Sequence, residues 1–182
     1  MPDIKKIVLT GGPCAGKTTA LVKITECFSG FGYKVFNVPE VPTIYSTAGW
    51  NYLTPNRDLY YQGERAILET QLAFEDQFMR LAEVCTKPVL IVCDRGTMDI
   101  SAYIKPEEWE EITAMAGTTP NALMERYDAV LHLCRLPMVR NSIILPPPMP
   151  PATNRPMRKD CVSPGNSTRR LSVRGQAILI CV

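Results

Sequence analysis

Over the first 133 positions, apolar residues fall into four short runs separated by longer stretches with helical spacing. Lys5–Thr10 predicts a first strand, Lys34–Val38 a second, Val89–Cys93 a third and Ala129–Leu133 a fourth. The third, VLIVC, is apolar throughout, as suits a parallel strand covered on both faces. A helix follows the first strand and runs to about Phe28, where Ser29, Gly30 and Gly32 stop it. Residues 41–57 hold Pro42, Gly49, Pro55 and several aromatics, which predicts an irregular, partly ordered loop. From Asp58 to Cys85 the pattern is helical. Ile67, Phe74, Phe78, Leu81 and Cys85 recur at helical steps, and Leu68, Leu72, Met79 and Ala82 widen that face. Pro88 ends it, and Glu107–Met115 and Asn121–Arg126 predict short helices opened by Pro106 and Pro120. Strands alternating with helices predict an α/β, doubly wound parallel sheet with right-handed crossovers. Ligands of such sheets lie beyond the carboxyl ends of the strands, so the residues after each strand are the ones to read for chemistry.

After the first strand comes Gly11-Gly12-Pro13-Cys14-Ala15-Gly16-Lys17-Thr18, a complete G-x-x-x-x-G-K-[ST] phosphate-binding loop between a strand and a helix, with Thr19 continuing into that helix. Gly11 and Gly16 let the backbone turn and bring its N–H groups to phosphate oxygens, and the helix beginning near Gly16 aims its positive end at the anion. Lys17 supplies a point charge for the β- and γ-phosphates, and the Thr18 hydroxyl is placed to ligate Mg²⁺. The loop predicts a P-loop NTPase that takes ATP or GTP, or a descendant of one that did. After the third strand comes Asp94-Arg95-Gly96. A carboxylate there is the second anchor that a nucleotide-bound Mg²⁺ needs, and Arg95 can fork onto phosphate oxygens; an N-capping Asp in a turn is the plainer alternative. After the second strand, Pro39-Glu40-Val41-Pro42 presents a stiffly held carboxylate able to take the proton of an attacking hydroxyl or to orient a water, or else a solvated loop residue. On the long helix Arg65, Glu69, Gln71 and Arg80 lie beside the apolar stripe; Gln71 could pair with a base edge, though a solvated face accounts for any one of them. Asp99, Ser101 and Tyr103 follow the Asp-Arg-Gly turn closely, and Trp50, Tyr52, Tyr60 and Tyr61 could stack on a ring or pack under the loop. The single His132 falls inside the fourth strand, as a core or edge histidine does.

Composition narrows the class. The 182 residues are 46% hydrophobic and 21% charged, as in one soluble globular domain, with no apolar run near the roughly 18 residues of a membrane span and no signal-peptide core. Seven cysteines without a C-x-x-C pair fit neither a disulfide framework nor a zinc site, and a cytoplasmic protein is the simplest expectation. The net charge of +2 hides an asymmetry: residues 1–133 carry 12 Lys/Arg and 17 Asp/Glu, or −5, whereas residues 134–182 carry 8 and 1, or +7, with half of the 16 prolines. The chain therefore divides into a P-loop domain, 1–133, and a Pro/Arg-rich tail, 134–182. The tail's Pro146–Pro151 run and lack of period predict no stable packing beyond a short strand at Ala177–Ile180, so that the sheet lacks a fifth strand and leaves 129–133 or the first strand uncovered. The tail is also compatible with out-of-frame translation, since the codons of Leu136–Ser142 shifted by one base can encode an acidic stretch. A disordered basic tail that meets anionic lipid or nucleic acid is the other reading, and no specific nucleic-acid binding is expected of the domain.

Ile7–Thr19, Val38–Thr43, the long helix and Cys93–Gly96 together resemble the AAA-type ATPase/kinase domain shared by the ribosylnicotinamide-kinase half of NadR and the TRPL translocation defect protein. More distantly they are similar to deoxynucleoside kinases. The resemblance covers roughly residues 4–133 and implies a fold of the nucleoside/nucleotide-kinase type. It implies Glu40 as base, Gln71 as reader of a nucleobase, and Asp94 with Arg95 as the pair after the third strand. The translocation-defect branch is the nearer, and its association with GTP and phosphoinositide sets a regulatory role in trafficking or signalling beside that of a kinase acting on a small hydroxyl-bearing acceptor. Such domains continue with an arginine-bearing lid, a base-binding loop, a fifth strand and a closing helix, and from Cys134 this sequence departs from that pattern.

Overall fold

The apolar run Val89–Asp94 (β3) becomes an inner strand flanked by Lys34–Val38 (β2) on one side and Ile4–Gly11 (β1) on the other, both parallel to it. A computed structural model describes residues 2–134 and, as backbone alone, 169–173 and 176–181. The sheet order is β2-β3-β1-β4-β6-β5, with Ala129–Leu133 (β4) beside β1. The first five residues of β3 are fully buried because both faces of the sheet are covered. Leu90 and Val92 point with Leu9 toward Lys17–Gly30 (α1), meeting Ala20, Leu21, Ile24 and Phe28. The alternate residues Val89, Ile91 and Cys93 point toward Arg57–Glu83 (α3), meeting Phe74, Phe78, Met79 and Ala82. Each such side chain removed from water contributes about 1.5–3 kcal/mol to folding.

α3, about 40 Å long, opens on Asn56, whose side chain accepts the Leu59 N–H at 3.1 Å. Beyond the sheet it carries a second cluster in which Ile67, Leu68, Ile100, Trp109, Ile112 and Leu123 meet. These come from α3, from a 3₁₀ turn at Thr97–Ala102, and from the short helices Pro106–Met115 (α4) and Pro120–Met124 (α5).

Three expectations change. Residues 41–47 are helical (α2, Val41–Thr47), where an irregular loop was predicted. Pro42 lies in the first turn, where its missing N–H has no partner to lose, and Val41 is fully buried. Leu81 is 50% exposed, whereas Glu64, Gln71 and Glu75, polar residues on the same helix, are buried. Lastly, the sheet continues past Leu133. Gln176–Cys181 (β6) lies parallel to β4 with Ala129 opposite Ala177, and Arg169–Val173 (β5) pairs antiparallel with β6. The edge expected to be bare is thereby covered, β1 is an inner strand, and the apolar run at 177–180 is the strand that covers β4. The intervening residues 134–175 are far more than the dozen a parallel crossover needs. The Pro146–Pro151 run falls outside the described residues.

Candidate active site

β1 delivers the chain into the phosphate loop, and the loop is shaped by the end of β4. Gly11, at φ 141°, lies so close to Leu133 that a Cβ there would stand 2.3 Å from the Leu133 carbonyl oxygen. Gly16, left-handed at φ 86°, caps α1, and its carbonyl accepts the Ala20 N–H at 2.9 Å. Pro13, Cys14, Ala15, Gly16, Lys17, Thr18 and Thr19 line a cavity of about 480 Å³. Glu40, Asp94 and Arg95 complete its wall. Gly11 and Gly12 shape it from behind: their carbonyls each accept a hydrogen bond from Lys17 Nζ at 3.0 Å.

Register places the carboxylates. Asp94 ends β3 opposite Leu9, two residues before the loop, and the Arg95 N–H donates to Leu9 O at 3.0 Å, one step past the strand. Arg95 then turns left-handed, φ 69°, a conformation that costs a non-glycine residue about 1–2 kcal/mol. From there its Nε donates to Glu40, and its Nη1 lies 3.8 Å from Asp99 Oδ1. Thr43 Oγ1 donates to the other Glu40 oxygen at 2.7 Å. Asp99 is fixed in turn by the Gly96 N–H at 2.7 Å and by the Thr10 hydroxyl.

These environments separate two carboxylates. Burial opposes the charge on Glu40, but hydrogen bonds from Arg95 and Thr43, with the charges of Arg95 and Lys17, outweigh it and hold that carboxyl below its ordinary value. For Asp94, burial and then the negative charge of Glu40 prevail over Lys17 and Arg95, and its carboxyl is pushed up. Asp94 Oδ1 is buried with no hydrogen-bond partner. Asp94 and Thr18 line the same cavity, and a carboxylate and a hydroxyl are the hard oxygen donors that suit a cation bound mainly through nucleotide phosphates. Among the described residues no cluster of three or more His, Cys, Asp or Glu could hold a metal by itself.

A second cavity, also about 480 Å³, adjoins the first, and Pro13, Glu40 and Arg95 line both. Trp50, Tyr52, Tyr60 and Tyr103 give it aromatic walls, and Gln71, Asp99 and Glu64 supply polar groups. Glu64 is 6% exposed, and burial pushes its carboxyl up. The Tyr60 phenol is pushed up to about 12 by burial and by the neighbouring Glu64.

Of the residues marked in the sequence, Glu40, Gln71, Asp94, Arg95 and the loop converge, joined by Asp99, Tyr103, Trp50, Tyr52 and Tyr60. Gln71 is buried rather than solvated. Others lie elsewhere: Ser101 Oγ bonds back to Met98 O, Tyr61 OH donates to Met115 Sδ at 3.8 Å, Arg65 pairs with Glu69 on the helix surface, and His132 is exposed on β4. Sequence reasoning missed Glu64, Thr43 and Thr10. Glu64 carried a signal, since it precedes Ile67 and Gln71 by three and seven residues on one helical stripe.

Three solved structures align with parts of this chain. Deoxyadenosine kinase from M. mycoides with bound dATP is 17% identical, with a TM-score of 0.42 over 71% of this chain and 64% of that one. APE1195 is 14% identical, with a TM-score of 0.37 over 74% and 63%. A cysteine-to-alanine variant of the APS kinase CysC from Mycobacterium tuberculosis is 12% identical, with a TM-score of 0.35 over 73% and 77%. The chain thus spans less than two thirds of the first two of these proteins. Among curated proteins, none matches the sequence. No helix among the described residues is long and apolar enough to cross a membrane. Residues 6–143, some three quarters of the sequence and all four strands of the phosphate-loop half, match the family described as AAA domain, and with its phosphate loop between β1 and α1 the chain belongs to that family of P-loop NTPases.

Proposed function

We propose that this protein transfers the γ-phosphoryl group of a Mg²⁺-bound nucleoside triphosphate to a small hydroxyl-bearing acceptor. One observation carries the reading: the phosphate-loop cavity and the aromatic cleft are separate spaces that meet at Pro13, Glu40 and Arg95. A donor in the first and an acceptor in the second would approach each other across an ionised carboxylate and a guanidinium, the pair that in-line transfer to a hydroxyl needs.

The loop N–H groups and Lys17 would hold the β- and γ-phosphates. Thr18 and Asp94 would hold Mg²⁺, which when bound neutralises charge developing on the phosphate oxygens. Glu40, kept charged by Arg95 and Thr43, would accept the acceptor's hydroxyl proton. Arg95 would meet charge spreading over the transferred group. The aromatic walls favour an acceptor with a flat ring, laid against the side chains of Trp50, Tyr52, Tyr60 and Tyr103.

The test is turnover of Mg-ATP and Mg-GTP with and without a panel of hydroxyl-bearing ring compounds. The reading expects nucleoside diphosphate release to rise with an acceptor, and phosphorylated acceptor to form in equal amount. Glu40→Gln should lower this rate by about 100-fold or more with nucleotide affinity nearly intact. Asp94→Asn should impair Mg²⁺-dependent turnover far more than Mg²⁺-free nucleotide binding. Release that no acceptor stimulates, in a protein that distinguishes di- from triphosphate, would replace this reading with that of a nucleotide-dependent regulatory protein.

A further inference from the structure

Beneath the turn that carries Arg95 lies a buried polar network that phosphoryl transfer does not itself use. Its centre is Glu75, with no exposed surface. One carboxylate oxygen accepts from Lys6 Nζ at 2.9 Å and from Arg126 Nε at 3.1 Å. The other accepts from Tyr127 OH at 2.6 Å and from Gln71 Nε2 at 3.0 Å. A buried carboxylate with two cations and two neutral donors is fully satisfied, and such a group has little freedom to move.

The network reaches upward at two points. Gln71 Nε2 also donates to the Arg95 carbonyl at 3.2 Å, and Tyr127 OH accepts the Thr97 N–H at 2.9 Å. Between them, Gly96 is pressed onto the same layer: a Cβ there would stand 2.8 Å from Val8 Cγ2 and 3.3 Å from Tyr127 OH. A left-handed arginine does not hold itself in place; its neighbours must fix it. Its N–H is taken by Leu9, its carbonyl by Gln71, and its guanidinium by Glu40 and Asp99.

We infer that Gln71 is a positioning residue. It carries the hold of the Glu75 carboxylate to the Arg95 carbonyl, and so keeps the Arg95 guanidinium aimed at Glu40 on the wall common to both cavities. Its amide protons serve the protein, not an acceptor ring. The consequence for turnover rests on the phosphotransfer reading above; the consequence for the Arg95 conformation does not.

The experiment follows hydrogen exchange of the Arg95 Nε–H and of the Gln71 side-chain amide by ¹⁵N NMR, with signals assigned from Arg95→Lys and Gln71→Met. It measures Mg-ATP and Mg-GTP hydrolysis and Mg-ATP affinity on the same samples, with no acceptor added. In the wild type the Gln71 amide protons should be protected; free exchange overturns the inference without any variant. In Gln71→Met, Arg95 Nε–H exchange should speed up about tenfold or more and hydrolysis fall about tenfold, with affinity held within about twofold. In an Arg95→Ala background, Gln71→Met should lower hydrolysis no further, whereas a merely structural role would add its loss again. Gln71→Asn, polar but too short to span both acceptors, should behave as Gln71→Met and replaces it if that variant does not fold. Unchanged Arg95 exchange in either folded variant overturns the inference. If the wild type hydrolyses neither nucleotide without an acceptor, the exchange data alone decide the role of Gln71, and the acceptor panel above decides the phosphotransfer reading.

Discussion

Lys17 Nζ sits between the carbonyls of Gly11 and Gly12, 3.0 Å from each, so the loop holds its own cation in reach of the space that phosphates would fill. Exchanging two neutral acceptors for charged phosphate oxygens strengthens each hydrogen bond about twofold. Lys17→Ala should accordingly weaken nucleotide affinity about tenfold or more, the roughly 1.5–3 kcal/mol of a hydrogen bond to a charged group. Calorimetric titration checks it, and equal affinities would remove the loop lysine from phosphate binding. Gly11 acts through space rather than charge. Its missing Cβ leaves room for the Leu133 carbonyl, a backbone atom that cannot swing aside, and its φ of 141° disfavours any other residue. Gly11→Ala should destabilise the fold by about 1–3 kcal/mol or more, as overpacking does. Gly12→Ala, with nothing within 4 Å of its Cβ, should cost far less. Urea unfolding of the pair separates the two, and equal losses would show that the β4 contact is not what Gly11 is kept for.

α3 shows how a helix builds one wall of the cleft. Trp50 lies flat against it at Gly63, where a Cβ would come within 2.2–2.3 Å of three atoms of the indole. In an exposed helix Gly→Ala gains about 1 kcal/mol of helix propensity. Here the gain should be lost, because the indole would have to lift from the helix and from Tyr52 and Tyr60, whose rings lie 6.4 and 6.3 Å away. Gly63→Ala should therefore shift the Trp50 emission toward that of a solvated indole, with no gain in Tm and with the buried Trp109 as internal reference. A stabilised variant with unchanged emission would place Trp50 off the helix. The same helix marks where sequence reading fails. The four strands were legible because apolar runs decide them almost alone, and the phosphate loop because its spacing is a motif. α2 was not, because Pro42 was read as a breaker when the first helical turn tolerates it. Nor was the inner stripe of α3. Glu64, Gln71 and Glu75 keep its spacing, but a hydrophobic filter passes over polar residues, and their burial depends on partners as distant in sequence as Lys6 and Tyr127. The Glu40–Arg95 pair joins residues 55 apart, and only the β2-β3-β1 strand order makes them neighbours.

At the scale of the molecule, the site concentrates charge where three parallel strands end, and folding must accommodate it. Glu64 is the clearest case: it is buried beside aromatic walls, and its carboxyl lies above the ordinary value of 4.5, from burial first, with Tyr60 and Arg57 only partly opposing. A carboxyl whose folded value is raised binds more protons in the folded than in the unfolded chain between those two values. Its contribution to stability is therefore whole below pH 4.5 and is lost as pH rises through the folded value. Asp94 pulls the same way, and Glu40, lowered by its partners, pulls the other way. The net pH profile of the wild type is thus a sum that cannot be read for one residue. The difference between wild type and Glu64→Gln can be, because Asp94 and Glu40 titrate in both proteins and cancel. A glutamine bears no charge at any pH, so the variant should gain on the wild type between pH 4 and pH 7, whatever its stability at pH 4. Urea unfolding at the two values measures that gain. The same difference at both, or a variant that loses ground at pH 7, would mean that Glu64 is ionised in the folded protein at little cost. The second cavity would then hold a settled negative charge beside its aromatic walls.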